Sequence, residues 1–210
     1  MLDPAIRREL RTLAQPDVIA GHLVAAGLLL AEDPAAAYAH ALAAKALAGR
    51  SGAVREAVGV TAYAAGEYAV ALAELRAARR ITGSAEHLPL LADCERGLGR
   101  PDRALAVAAE PAAKSLDRAS RVELAIVVSG ARRDLGQAAA AVLALQGKDL
   151  DSDEVHDWTP RLWYAYAEAL LAAGRVDDAR TWFAATVAVD DDDSTDASTR
   201  LAMLSHQDGS

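Results

Sequence analysis

The segment Leu170–Phe183, LLAAGRVDDARTWF, constrains the fold most. In it a glycine ends one apolar helical pattern, and an alanine five residues later lies in the next. The device occurs four times, as Gly66/Ala71, Gly99/Ala104, Gly136/Ala141 and Gly174/Ala179, with the glycines 33, 37 and 38 residues apart. Physically, the glycine takes a left-handed conformation that ends the first helix, and the alanine lets two helix backbones approach. A period of this size predicts an array of helical hairpins, each burying its apolar face only against neighbours.

Composition supports an all-α chain. Roughly a quarter of the 210 residues are alanine, the strongest helix former, and phenylalanine occurs once. A net charge of −8 argues against nucleic acid or an anionic membrane as partner, since both need a dense cationic face. Arg7, Arg8 and Arg11 before the apolar run Val18–Ala31 imitate a secretory signal. His22 inside that run, Pro16-Asp17 as a helix start, and its shortness against the roughly 20 residues of a bilayer span argue otherwise. A single cysteine, Cys94, suits a reducing cytoplasm, which is the expected location. Abundant Ala and Arg with little Lys and no Asn point to a high-GC, actinobacterial source.

Read in order, Asp3-Pro4 starts a short helix to Ala14, and units then follow at about 17–48, 51–82, 84–114, 117–147 and 157–189. Asp17 is expected to cap the first helix of the first unit, Asp33-Pro34 its second, and Asp157 the helix carrying Trp163. Leu124–Val128, LAIVV, reads alone as a strand, but its place between Asp117 and Gly136 makes it helical. In the second unit Val70, Ala71, Leu75 and Ala78 share one face, with Glu74, Arg76, Arg79 and Arg80 mostly on the other. Six of the nine aromatics gather in the last unit, where Trp163 and Phe183 read as core and Trp158 and Trp182 as an exposed patch. Residues 190–210 read as an acidic, flexible tail with a brief helix at Asp196–Leu204.

At these residues the chain resembles the tetratricopeptide repeat family, whose unit is an antiparallel helix pair of about 34 residues. Gly59, Gly66, Tyr68, Ala71, Leu75 and Ala78 carry the likeness in the second unit, and Trp163, Gly174, Ala179 and Phe183 in the last. Arg55, Ala108 and Lys148 depart from the pattern. The resemblance implies a right-handed superhelix, an α-solenoid of about five antiparallel hairpins, whose first helices line a groove for protein segments. Carried over by position, the groove comprises Leu23, Gly27 and Leu30, then Glu56, Val60 and Tyr63. Glu86, Asp93 and Arg96 follow, then Arg133, then Arg161, Tyr164 and Glu168. With no Asn and only Lys45, Lys114 and Lys148, the family's Asn ladder and Lys/Asn carboxylate clamp lack their usual residues.

Catalytic and metal chemistry find little support in the pattern. His22, His40, His87, His156 and His206 are scattered, none pairing at a spacing such as i, i+4. His87 and Cys94 lie about 10 Å apart along one helix, beyond the reach of a nucleophile and base. Asp149, Asp151 and Asp153 open like a calcium loop, but Glu154 stands where glycine is required and Pro160 where glutamate is required. The expectation is therefore a non-enzymatic scaffold or adaptor for a protein or peptide, with no cofactor, no metal, and self-association through the terminal units left open. The alternative is a regulatory module that senses a small ligand or peptide.

Overall fold

The computed structural model describes residues 3–152 and 154–207, and each regular element among them is helical. Helices α1 (Pro4–Leu10), α2 (Pro16–Leu29), α3 (Pro34–Ala48), α4 (Gly52–Ala64), α5 (Tyr68–Thr82) and α6 (Leu88–Gly97) lie in a first compact unit ending at Arg100. A second unit starts at Pro101 and holds α7 (Pro101–Ala108), a 3-10 turn (Pro111–Ser115), α8 (Arg118–Asp134), α9 (Ala138–Leu145), α10 (Thr159–Ala172), α11 (Val176–Val187) and α12 (Ala197–Gln207). The expected third hairpin is thus divided, α6 belonging to the first unit and α7 to the second. Leu124–Val128 lies within α8, whose start is capped by Asp117 accepting from the Ser120 amide at 2.7 Å.

The four glycine turns share one geometry. Gly66, Gly99, Gly136 and Gly174 have φ of +78°, +70°, +69° and +76°. In each, the amide after the glycine donates five residues back, as Glu67 to Ala62, Arg100 to Glu95, Gln137 to Arg132 and Arg175 to Leu170, at 2.8–2.9 Å. The glycine amide donates three residues back, so two otherwise orphaned carbonyls are satisfied at every turn. The paired alanines, Ala71, Ala104, Ala141 and Ala179, are all buried, as are Leu75, Leu145 and Phe183 four residues on. Ala108, the small residue at that position in α7, is only half-buried.

A second periodic position emerges seven residues before each turn glycine, where Gly59, Ala92, Ser129 and Ala167 are buried. Small size is needed there because the facing helix is close. A Cβ on Gly59 would stand 2.6 Å from Leu75 Cγ and 3.2 Å from the Leu75 backbone nitrogen. Ser129 instead donates its hydroxyl to the Ala141 carbonyl at 3.0 Å. A Cβ on Gly21 of α2, by contrast, meets nothing within 4 Å. Gly59→Ala is therefore expected to lose about 1–3 kcal/mol by overpacking, despite a better helix former, while Gly21→Ala gains up to about 1 kcal/mol. Urea unfolding of the two variants checks the opposite signs.

Several local expectations need correction. Asp17 does not cap α2, because Pro16 already occupies the first helical position behind Gln15, whose φ is +58°. Asp157 does not cap α10, whose flanking residue is Trp158 without a side-chain cap bond. The first helix stops at Leu10, four residues short of Ala14. Glu74 faces inward, its carboxylate held by Lys45 of α3 at 2.7 Å and Arg55 of α4 at 2.9 Å. Arg55 replaces an expected aromatic by delivering its charge to that carboxylate. Trp158 is buried, stacked on His156 with ring centroids 4.7 Å apart and lying under the Arg118 guanidinium.

The segment after Val189 is also ordered against the second unit. Asp190 accepts from the amides and hydroxyls of Ser194 and Thr195 at 2.6–2.9 Å, which shapes the chain into α12. Partial burial pulls the Asp190 carboxyl upward, but these bonds hold it below the usual carboxylate range. Ala197 and Leu204 of α12 then bury themselves in the same core as Leu162, Leu170 and Phe183. Asp153 of the calcium-like run lies outside the described residues, as does the side chain of His206.

Candidate functional site

The groove positions of the first unit fall into two settings. On α2 and α4, Leu23, Gly27, Leu30, Glu56 and Val60 line one cavity of about 210 Å³, with Ile6 of α1 also on its wall. Its surface is apolar except for the Glu56 carboxylate and the Thr61 hydroxyl, and Thr61 already donates to the Ala57 carbonyl at 2.7 Å. A Cβ on Gly27 would meet nothing within 4 Å, so the cavity is open above this helical glycine.

Further along, the same face is occupied by contacts between successive first helices. Tyr63 of α4 donates its hydroxyl to Asp93 of α6 at 2.5 Å, and Asp93 also pairs with Arg96 at 2.7 Å. Burial, then the Asp93 carboxylate, pushes the Tyr63 phenol well above its usual value, so it stays a donor. Glu56 Oε1 lies 3.2 Å from Nε2 of His87, at the start of α6. Glu86 is exposed. Neighbouring Cys94 is buried, and burial with Asp93 and Glu95 nearby pushes its thiol up to about 12, leaving it an unreactive packing residue.

The contact with Glu56 raises the His87 imidazole above its usual pKa, against the opposing effect of burial. A raised folded value means that the pair contributes stability below about pH 6.5, the unfolded value, and loses it as pH rises through the folded value. Because Glu56 is 40% exposed, the contribution is at most about 1 kcal/mol. The melting-temperature gap between wild type and His87→Gln is therefore expected to be larger at pH 6 than at pH 9. A gap independent of pH would exclude this ionic contribution.

In the second unit the predicted groove residues are similarly engaged. Arg133 of α8 reaches Glu168 of α10 at 3.1 Å, and Arg161 of α10 pairs with Glu123 of α8. Arg200 of α12 closes on the other Glu168 oxygen, so this carboxylate is held between two arginines. Tyr164 packs its ring edge-on to Phe183, centroids 5.6 Å apart. Burial and a hydrogen bond with Asp196 raise its phenol above the usual value. Tyr164 is thus half-buried beside α12 rather than a free groove residue. Trp182 is partly buried against Trp163 and Tyr166, at centroid distances of 5.6 and 5.0 Å.

Residues 160–204, spanning α10, α11 and most of α12, match the tetratricopeptide repeat family. The matched stretch is 45 of the chain's 210 residues. No curated protein matches the chain. Its helical architecture accords with such a repeat array, and repeats of this family generally serve as non-catalytic protein-interaction modules. No helix among the described residues is long and apolar enough to cross a membrane.

Two constellations in the first unit escaped the sequence pattern. His22 of α2 and His40 of α3, scattered in sequence, bring their Nδ1 atoms to 3.0 Å. Glu95 of α6 is 1% exposed and held by Arg76 of α5 at 2.7 Å, with Arg100 at 3.5 Å. Neither follows a fixed spacing. The position facing Glu95 depends on how α5 meets α6, which periodicity leaves open.

Proposed function

We propose that this protein is a non-enzymatic interaction adaptor that holds a segment of another protein over the α2/α4 cavity. The observation carrying this reading is a contrast within the predicted groove. Tyr63, Asp93, Arg96, Arg133, Arg161, Tyr164 and Glu168 satisfy one another or nearby helices. Leu23, Gly27, Leu30 and Val60 instead line an apolar cavity. A helical glycine costs about 1 kcal/mol relative to alanine, and nothing nearby in the fold requires Gly27 to lack a Cβ. An approaching partner backbone would require it. The chemistry favours a segment with an apolar anchor and an adjacent basic residue near Glu56.

A photo-crosslinking residue at Val60 is expected to label the partner and so identify its segment as a synthetic peptide. Gly27→Leu and Val60→Glu should each weaken that peptide by about tenfold or more, as expected when a central anchor pocket is filled or charged. Arg133→Ala should change affinity little. Unchanged affinity in both cavity variants, with circular dichroism preserved, overturns this assignment.

A further inference from the structure

We infer that His22 and His40 form a two-imidazole binding site for a borderline transition-metal ion of the zinc class. The rings come from α2 and α3 of the first hairpin, half-buried, with centroids 5.2 Å apart and an interplanar angle of 45°. Their Nδ1 atoms are 3.0 Å apart. Two nitrogens bound at about 2.0–2.1 Å to one ion stand about 2.9 Å apart at a right angle and about 3.4 Å apart at the tetrahedral angle. The observed separation falls between these limits, and the rings, which meet nearly head-on, converge on one ion by turning about their Cβ–Cγ bonds.

Each neutral imidazole carries one proton, and in the metal-free pair one Nδ1 donates to the other. Metal binding asks both Nδ1 atoms to present lone pairs. The donating ring therefore shifts its proton from Nδ1 to Nε2 through solvent, with no net release at neutral pH. Among the described residues neither ring has another hydrogen-bond or ion-pair partner, so no competing contact holds either nitrogen. Ile19 and Ala26 flank His22, and Ala36, Ala37, Ala43 and Ala44 flank His40, one helical turn away on either side. Nitrogen donors without a carboxylate favour zinc, nickel or copper over the oxygen-seeking magnesium and calcium. With two protein donors, the remaining coordination positions fall to water.

The test is calorimetric titration of the full chain with zinc chloride at pH 7.5, with magnesium chloride as the hard-ion comparison. Wild type is expected to bind one zinc ion and no magnesium. His22→Gln and His40→Gln should each weaken zinc by about tenfold or more, and the double variant should lose the site. Long-range proton–nitrogen spectra of wild type provide a readout independent of variant folding. On adding zinc, two imidazoles should convert to the Nε2-protonated form with shifted Nδ1 resonances. Absence of saturable zinc binding, undiminished binding in the double variant, or spectra in which only His87, His156 or His206 respond would overturn the assignment.

Discussion

Phe183→Ala is expected to cost about 3–5 kcal/mol, the range for removing a fully buried aromatic from a core. Phe183 is 0% exposed and follows the close-approach residue Ala179 by one helical turn. It shares a core with Leu162, Leu170, Ala197 and Leu204, so one cavity would loosen α10, α11 and α12 together. The Arg200 guanidinium, 6.0 Å from the ring centre, would lose its aromatic face but keep Glu168. Conservative replacement by leucine should cost much less, because it retains most of the volume. Chemical denaturation monitored by the tryptophans measures both, and a loss below about 1 kcal/mol for alanine would mean that neighbouring side chains collapse into the space.

The second large effect is expected at Arg76, despite its being half exposed. Its importance lies in Glu95, whose side chain is 2% exposed and whose remaining cation, Arg100, stands 3.5 Å away. Arg76→Ala leaves a desolvated carboxylate with one loose partner, a change expected to cost about 2–3 kcal/mol, somewhat less than a wholly unpaired buried charge. Glu95→Gln should be milder, since the arginines it releases are exposed enough to regain water. The order of the two losses in denaturant melts is the discriminating result. If Glu95→Gln is the more damaging, the arginines rather than the carboxylate pay the desolvation penalty.

Glycine turns and their buried alanines were legible because both depend on local chain geometry, which recurs with the repeat. Asp33, Asp117 and Gly174 act within a few residues of themselves, and their roles follow from spacing alone. Glu74 shows where that reasoning ends. A helical wheel places a carboxylate on the wet face, but Lys45 and Arg55 lie 29 and 19 residues away and make an inward position favourable. The pairing of the groove positions was hidden for a related reason. The resemblance named Tyr63 and Asp93, and Arg133 and Glu168, by their place in the repeat, but spacing alone could not show that each pair meets. The acidic run after Val189 likewise appeared solvated until Ser194 and Thr195 supplied donors to Asp190.

The paired hydrogen bonds at Gly66, Gly136 and Gly174 have a mechanical consequence. A turn pinned by two nested amide bonds cannot act as a hinge without breaking both, so each such corner is stiff despite containing the most permissive residue. The two helices that meet at each of these corners should therefore move as one body.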